Sequence, residues 1–244
     1  MNPIVECNGL WKAYRESSRL GIKDFFLRRG RVHKYDKYSR AWALQDVNFQ
    51  VRPGEAFAVV GHNGSGKSTL LSLLLGSIQP DCGTIRLPKR IGPLLELGAG
   101  FHPDLTGREN VFLYGAILGM SLHETREHFD SIVEFSELGE AVEHPIRTYS
   151  AGMVTRLAFS VIIHTPAEVL LIDEILAVGD VRFQEKCFAH VMKFKQQGGA
   201  LVIVSHDLAQ LPKICERGMC IDQGKVVAMG SVSEVLNHYR ALMG

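Results

Sequence analysis

The chain has no run of apolar residues long enough to cross a bilayer. A membrane-spanning helix needs roughly 18 in a row. The longest candidates, Leu70–Leu75 and Val169–Ile172, are short and read as buried helix or strand. Cysteine is scarce and scattered: Cys7, Cys82, Cys187, Cys215 and Cys220 are odd in number and form no Cys-x-x-Cys pair. Reduced, buried thiols are therefore expected rather than a disulfide framework or a zinc site. A secretion-signal core is missing too, interrupted by Lys12, Arg15, Glu16 and Arg19, so a cytosolic location is expected. Nor is there an excess of charge: 27 Lys and Arg meet 26 Asp and Glu, for a formal net charge of +1. On that balance no nucleic-acid partner is expected.

What is present is an ordinary globular composition, with 46% apolar and 22% charged residues among 244. That is enough apolar surface to exclude disorder of the whole chain, and the length suits one large domain or two small ones. The charge, however, is unevenly placed. Residues 15–40 hold nine Lys and Arg against three acids, a local net charge of +6 that leaves −5 for the remainder. Within this excursion Phe25, Phe26 and Leu27 precede Arg28, Arg29 and Arg31. Two readings of it stand: an amphipathic segment beside an anionic membrane surface, or a solvated link between two strands.

The hydrophobic pattern alternates strand and helix. Val47–Val51 is a strictly alternating strand, and Arg52–Pro53–Gly54–Glu55 is a turn. Ala56–Val60 is then a continuous apolar run, as in a strand buried on both faces of a parallel sheet. A leucine-rich helix is expected after Gly66, with Gly76 as its stop. Buried strands recur at Val169–Asp173 and Ala200–Ser205, which argues for an α/β sheet. Between about residues 93 and 163 the texture turns helical, with Asn110–Met120 and Leu122–Leu138 spaced as helices. That block reads as a helical subdomain inserted into the sheet domain.

The segment Gly61–His62–Asn63–Gly64–Ser65–Gly66–Lys67–Ser68–Thr69 fits the pattern G-x-x-x-x-G-K-[ST], between a buried strand and a helix. Glycines let successive backbone N–H groups turn inward around a phosphate, and the helix N-terminus adds its positive end. Lys67 is placed to reach the β- and γ-phosphates of a nucleotide, and Ser68 to offer its hydroxyl to Mg²⁺. Val169–Ile172 leads into Asp173 and Glu174. An acid at the strand tip can hold Mg²⁺, and the next one can polarise a water in line with the γ-phosphate. His206 follows the third buried strand, at the carboxyl edge where crossover sheets collect ligand groups.

In this order the motifs resemble the ATP-binding cassette (ABC) ATPases, from Ile4 to about Tyr239. The discriminating element is Tyr149–Ser150–Ala151–Gly152–Met153, some twenty residues before Asp173 and opening a helix with Ser150 as expected N-cap. Ser150 and Gly152 match the family's Leu-Ser-Gly-Gly-Gln. The resemblance implies a P-loop NTPase (RecA-like) α/β core with an N-terminal antiparallel β subdomain and the inserted helical subdomain. Residues 1–244 would form one ABC ATPase domain, without the C-terminal carbohydrate-binding domain some members carry. It implies ATP and Mg²⁺ as ligands. Ser150, Ala151 and Gly152 would touch ATP held by a second copy, in a head-to-tail sandwich. Glu174 and His206 become the catalytic pair. The adenine-stacking aromatic would be Tyr14 or Trp42, and Glu96 falls where the family has a glutamine that serves Mg²⁺ and water. Ala177–Asp180 occupies the family's dimer-contact loop, where Asp180 matches.

Further phrases narrow the branch. Leu95–Pro103, Leu105–Asn110 and Tyr149–Met153 are similar to the polysaccharide-export members, which move O-antigen, capsule or teichoic acid chains. The implied partners are a membrane permease dimer and, through it, a lipid-linked glycan. The implied location is the cytoplasmic face of the cytoplasmic membrane, held there by the permease. The alternative is a soluble ABC ATPase of DNA repair or translation, or a subunit for another substrate. The long coiled coils or second cassette of those soluble members are not seen, and an intact Lys67, Asp173, Glu174 and His206 set argues against a non-catalytic regulator.

Overall fold

The computed structural model describes residues 2–15, 40–95, 97–173, 179–205 and 208–243. The basic excursion therefore lies, apart from the backbone of its two ends, outside the described residues. Strand β1 (Val5–Arg15) pairs antiparallel with β2 (Arg40–Val51) on one side and, on the other, with a strand formed by Cys82–Arg86. The second sheet is built on β3 (Ala56–Val60), and Cys82–Arg86 is β4 in chain order. With β5 (Ile91–Leu94), β6 (Val169–Asp173), β7 (Ala200–Val204), β8 (Arg217–Asp222) and β9 (Lys225–Ser231), β3 forms a six-stranded sheet in the order β5-β6-β7-β3-β8-β9. Its first five strands are parallel, and β9 closes it as an antiparallel hairpin partner of β8.

The continuous apolar runs are explained by what each face meets. In β3, Ala56, Ala58 and Val60 join one buried cluster, while Phe57 and Val59 join another. The same alternation divides Leu170 and Ile172 from Val169 and Leu171 in β6, and Leu201 and Ile203 from Val202 and Val204 in β7. A strand with a core on each side has no polar face to show, which is why no period-2 polarity marks it. One cluster takes in β1, β2 and helix α1 (Lys67–Leu74), through Leu70, Leu71, Leu73 and Leu74. The other takes in α2 (Gly107–Ile117), α3 (Leu122–Ser136), α4 (Ala151–Ile163), α5 (Val181–Gln196), the short α6 (Leu211–Ile214) and α7 (Val232–Met243).

Caps set the helix starts. Thr106 with Glu109 and Ser121 with Glu124 are reciprocal capping boxes at α2 and α3, and Ser150 and Asp180 cap α4 and α5. The charge-rich stretch expected to be helical from Leu122 stops at Ser136, where Glu137 takes φ 59° and breaks the bonding pattern. Two 3₁₀ turns, Gly139–Glu143 and Ile146–Thr148, then lead to Ser150. No described helix is long and apolar enough to cross a membrane.

Candidate nucleotide site

The site is assembled where β3, β6 and β7 end side by side, since Val59 pairs with Val204, and Val204 with Asp173. β3 runs into Gly61, and the chain from Gly61 to Gly66 loops back to start α1 at Lys67. Two of its glycines are demanded by close approach. A Cβ on Gly61 would lie 2.2 Å from the Ile221 carbonyl oxygen, and one on Gly66 (φ 117°) would lie 2.5 Å from that of Ala43. Gly64, by contrast, faces open space within 4 Å of where its Cβ would be. Asn63 is exposed and Thr69 half-buried.

Lys67 is buried, and its ammonium donates to the carbonyl oxygens of Gly61 at 2.6 Å and His62 at 2.9 Å. Burial lowers its pKa, opposed by the negative charge of Asp173 nearby. Ser65 is also fully buried, and its hydroxyl is the one buried side-chain polar atom among the described residues without a partner. Ser68 and Asp173 are both exposed and line one cavity of about 520 Å³, with Leu71, Leu95 and Tyr114 on its walls. A hydroxyl and a carboxylate facing one open space make a hard-oxygen pair that fits a divalent cation. Glu96, Glu174 and His206 lie outside the described residues.

The loop is tied down from the far end of the chain. The His62 ring meets the Asn63 carbonyl at 2.6 Å through Nδ1 and the Asp222 carboxylate at 2.7 Å through Nε2. The Gly224 N–H donates to the Ser65 carbonyl at 2.9 Å. Asp222, at the end of β8, was missed by sequence reasoning. Its only local signal is the Asp222–Gln223–Gly224–Lys225 turn, which marks a hairpin rather than a partner of His62.

Ser150 accepts a hydrogen bond from the Met153 N–H at 3.3 Å, capping α4 as expected. Ser150 and Ala151 are exposed and Gly152 half-buried, and none of the three lines the cavity that holds Ser68 and Asp173. The two aromatics proposed for adenine lie on opposite faces of the β1–β2 ribbon, since Ala13 stands across from Trp42 and Tyr14 across from Ala41. Trp42 packs edge-on against Trp11 with ring centroids 5.2 Å apart, and both Tyr14 and Trp42 are nearly half exposed. Asp180 accepts from the Phe183 N–H at 2.9 Å, and its other oxygen takes a hydrogen bond from Arg156, a residue the motif reading passed over.

Residues 44–177, more than half the chain, match the family model described as ABC transporter. The chain belongs to the ABC transporter family. It is an ATP-binding, ATP-hydrolysing cassette of that family. This cassette is 41% identical to the O-antigen export system ATP-binding protein RfbB of Klebsiella pneumoniae over the full length of both chains. It is 38% identical to the teichoic acids export ATP-binding protein TagH of Lactiplantibacillus plantarum, across 82% of the cassette and 55% of that relative. In fold it is similar to a dimeric ATP-binding cassette solved in a post-hydrolysis state with ADP and phosphate. That likeness has a TM-score of 0.70 at 22% identity, covering 93% of this chain and 98% of the other.

Proposed function

We propose that this cassette powers the export of a lipid-linked polysaccharide through a separate membrane permease dimer. The observation that carries the reading is the end-to-end 41% identity with an O-antigen export ATP-binding protein. Identity spread over both whole chains leaves no part of the relative unmatched, so the likeness goes beyond the phosphate loop common to the family. The working unit is two cassettes head to tail, attached by the permease to the cytoplasmic face of the membrane. The Ser150–Gly152 turn supports this, because Ser150 and Ala151 are exposed and none of the three lines the cavity holding Ser68 and Asp173 within one chain.

In this reading the backbone N–H groups of Gly61–Ser68 cradle the triphosphate, and Lys67 exchanges its two carbonyl acceptors for phosphate oxygens. Ser68 and Asp173, joined by Glu96 if it serves as the family's glutamine does, would hold Mg²⁺, which would neutralise charge on the β- and γ-phosphates. Glu174 orients the attacking water, and His206 steadies the γ-phosphate. Ser150 and Gly152 offer the amino end of α4 to the γ-phosphate bound by the partner copy. Tyr14 stacks on adenine. The work of these groups is positioning and charge stabilisation rather than covalent catalysis.

Glu174→Gln tests the chemistry: ATP should still bind, while hydrolysis nearly stops and a dimer accumulates with ATP. Turnover like that of the unaltered protein would reject Glu174 as the catalytic carboxylate. Deleting the chain tests the transport role. Glycan should build up inside the cell, and export that continues undiminished would reject the assignment.

A further inference from the structure

Arg156 lies six residues beyond Ser150 on α4, about 9 Å along the helix axis. Its side chain is only 19% exposed and is gripped on every side. One guanidinium nitrogen donates to Asp180 at 2.5 Å, another donates to Glu137 at 3.2 Å, and the group lies 4.7 Å from the centroid of the Phe183 ring. Phe183 is itself buried. The backbone makes room for this: a Cβ on Gly179, where φ is 67°, would sit 3.2 Å from the Arg156 Nε. Asp180 serves two masters, capping α5 through the Phe183 N–H and holding Arg156 with its other oxygen. Its carboxyl is kept below the usual range first by that backbone hydrogen bond and then by the Arg156 charge. Lys186 completes the cluster by donating to Glu137 at 3.0 Å and to the Phe135 carbonyl at 2.9 Å.

The arrangement joins two segments with separate tasks in the proposed reading, on which this inference rests. α4 begins at the turn that faces the partner's nucleotide. Asp180 stands seven residues after Asp173, at the far end of the segment that leaves the acidic pair. We infer that Arg156 is a positioning residue, a strut that fixes the Ser150–Gly152 turn relative to the segment following Asp173 and Glu174. Through it, each cassette holds its offering to the partner's ATP in register with its own acids. A planar, five-donor guanidinium suits this task, because it fixes direction as well as distance. The Glu137 arm stays within the helical block, so it steadies Arg156 without forming the link.

The strut touches neither the phosphate loop nor Lys67. Its loss should lower kcat and leave the affinity of the single chain for ATP in place. Asp180→Asn separates this from capping, since asparagine caps a helix about as well as aspartate but carries no charge for Arg156. The full chain should be assayed for ATPase activity, for binding of a fluorescent ATP analogue and for Tm. Arg156→Ala and Asp180→Asn should each lower kcat about tenfold or more. Analogue affinity should stay within about twofold, and the double variant should be no slower than Arg156→Ala alone. Glu137→Gln should keep near-normal turnover. An unchanged kcat in Asp180→Asn beside a loss in Asp180→Ala would reduce Asp180 to a cap and overturn the inference. Parallel loss of kcat and ATP affinity would overturn it too. In both cases an active unaltered protein leaves the ATPase reading intact, whereas no ATPase activity in that protein would defeat both.

Discussion

Lys67 donates from its ammonium to the carbonyl oxygen of Gly61, 2.6 Å away, and so holds its charge against the first residue of its own loop. The charge is expensive there, because burial is what lowers the lysine's pKa. Lys67→Met keeps most of the buried stem and removes the charge. It should leave Tm within a few degrees of the unaltered protein, or raise it, while nucleotide binding measured by calorimetry disappears. A large fall in Tm would mean that the ammonium is needed to hold the loop closed.

Gly66→Ala should be far more damaging than its one added methyl implies. The new Cβ would meet the Ala43 carbonyl oxygen at 2.5 Å and the Leu44 Cδ2 at 2.8 Å, at a backbone angle of φ 117°. Strain of this kind costs about 1–3 kcal/mol for the dihedral alone. A denaturant melt should register at least that loss, together with weakened ATP binding. Gly64→Ala shares the dihedral strain, at φ 80°, but meets no atom within 4 Å, so it isolates the clash and should retain more stability than Gly66→Ala.

Tyr14 and Trp42 can be told apart because they stand on opposite faces of one ribbon. An aromatic stacking contact is worth about 0.5–1.5 kcal/mol, roughly two- to tenfold in affinity. Tyr14→Ala should raise the KM for ATP by that factor, and Trp42→Ala should shift it by less than about twofold. The reverse outcome in steady-state assays would move the stacking role to Trp42.

Acid should loosen the helical side of the molecule. His164 and His190 have rings 6.1 Å apart, both against Phe135, and His128 lies 6.2 Å from His164. Burial lowers the pKa of both His164 and His190, outweighing the carbonyls of Ser160 and Ile163 that favour their protonated forms. Lys193 beside His190 and Lys186 over the Phe135 ring add positive charge to the same surroundings. Below the ordinary histidine value of 6.5 the unfolded chain binds protons that the folded one resists, so stability is complete above that pH and falls beneath it. Melts at about pH 7.5 and about pH 5.5 should show the drop. The double change His164→Gln and His190→Gln should flatten it.

The parts of this architecture that could be read in advance are those written in neighbouring residues. β3, the loop and α1 carry a continuous apolar run, a glycine pattern and a leucine stripe in direct succession. The cap at Ser150 and the strands ending at Asp173 and Val204 are equally local. What escaped are pairs distant in sequence. His62 and Asp222 are 160 positions apart, and Arg156 and Asp180 are 24 apart, and neither pair belongs to a periodic pattern. Such contacts arise from the order in which strands are laid down, and that order follows from packing rather than from local propensity. The shift of buried positions in β2, from Leu44 to Val47, follows from Asp46 at φ 53°, which resets which side chains face inward.

The ties from β8 and its turn to the phosphate loop have a bearing on how the protein is made. The loop itself emerges early in synthesis, but β3 is flanked by β7 and β8, and the Ser65 carbonyl waits for the Gly224 N–H. Until the last tenth of the chain is being translated, the nucleotide loop has β7 beside it but lacks β8 in full and its clasp. An unfinished chain should therefore bind ATP more weakly than the finished one. A truncation just ahead of Asp222 would yield a chain with every residue of the phosphate motif and neither the Asp222 nor the Gly224 tie that holds it.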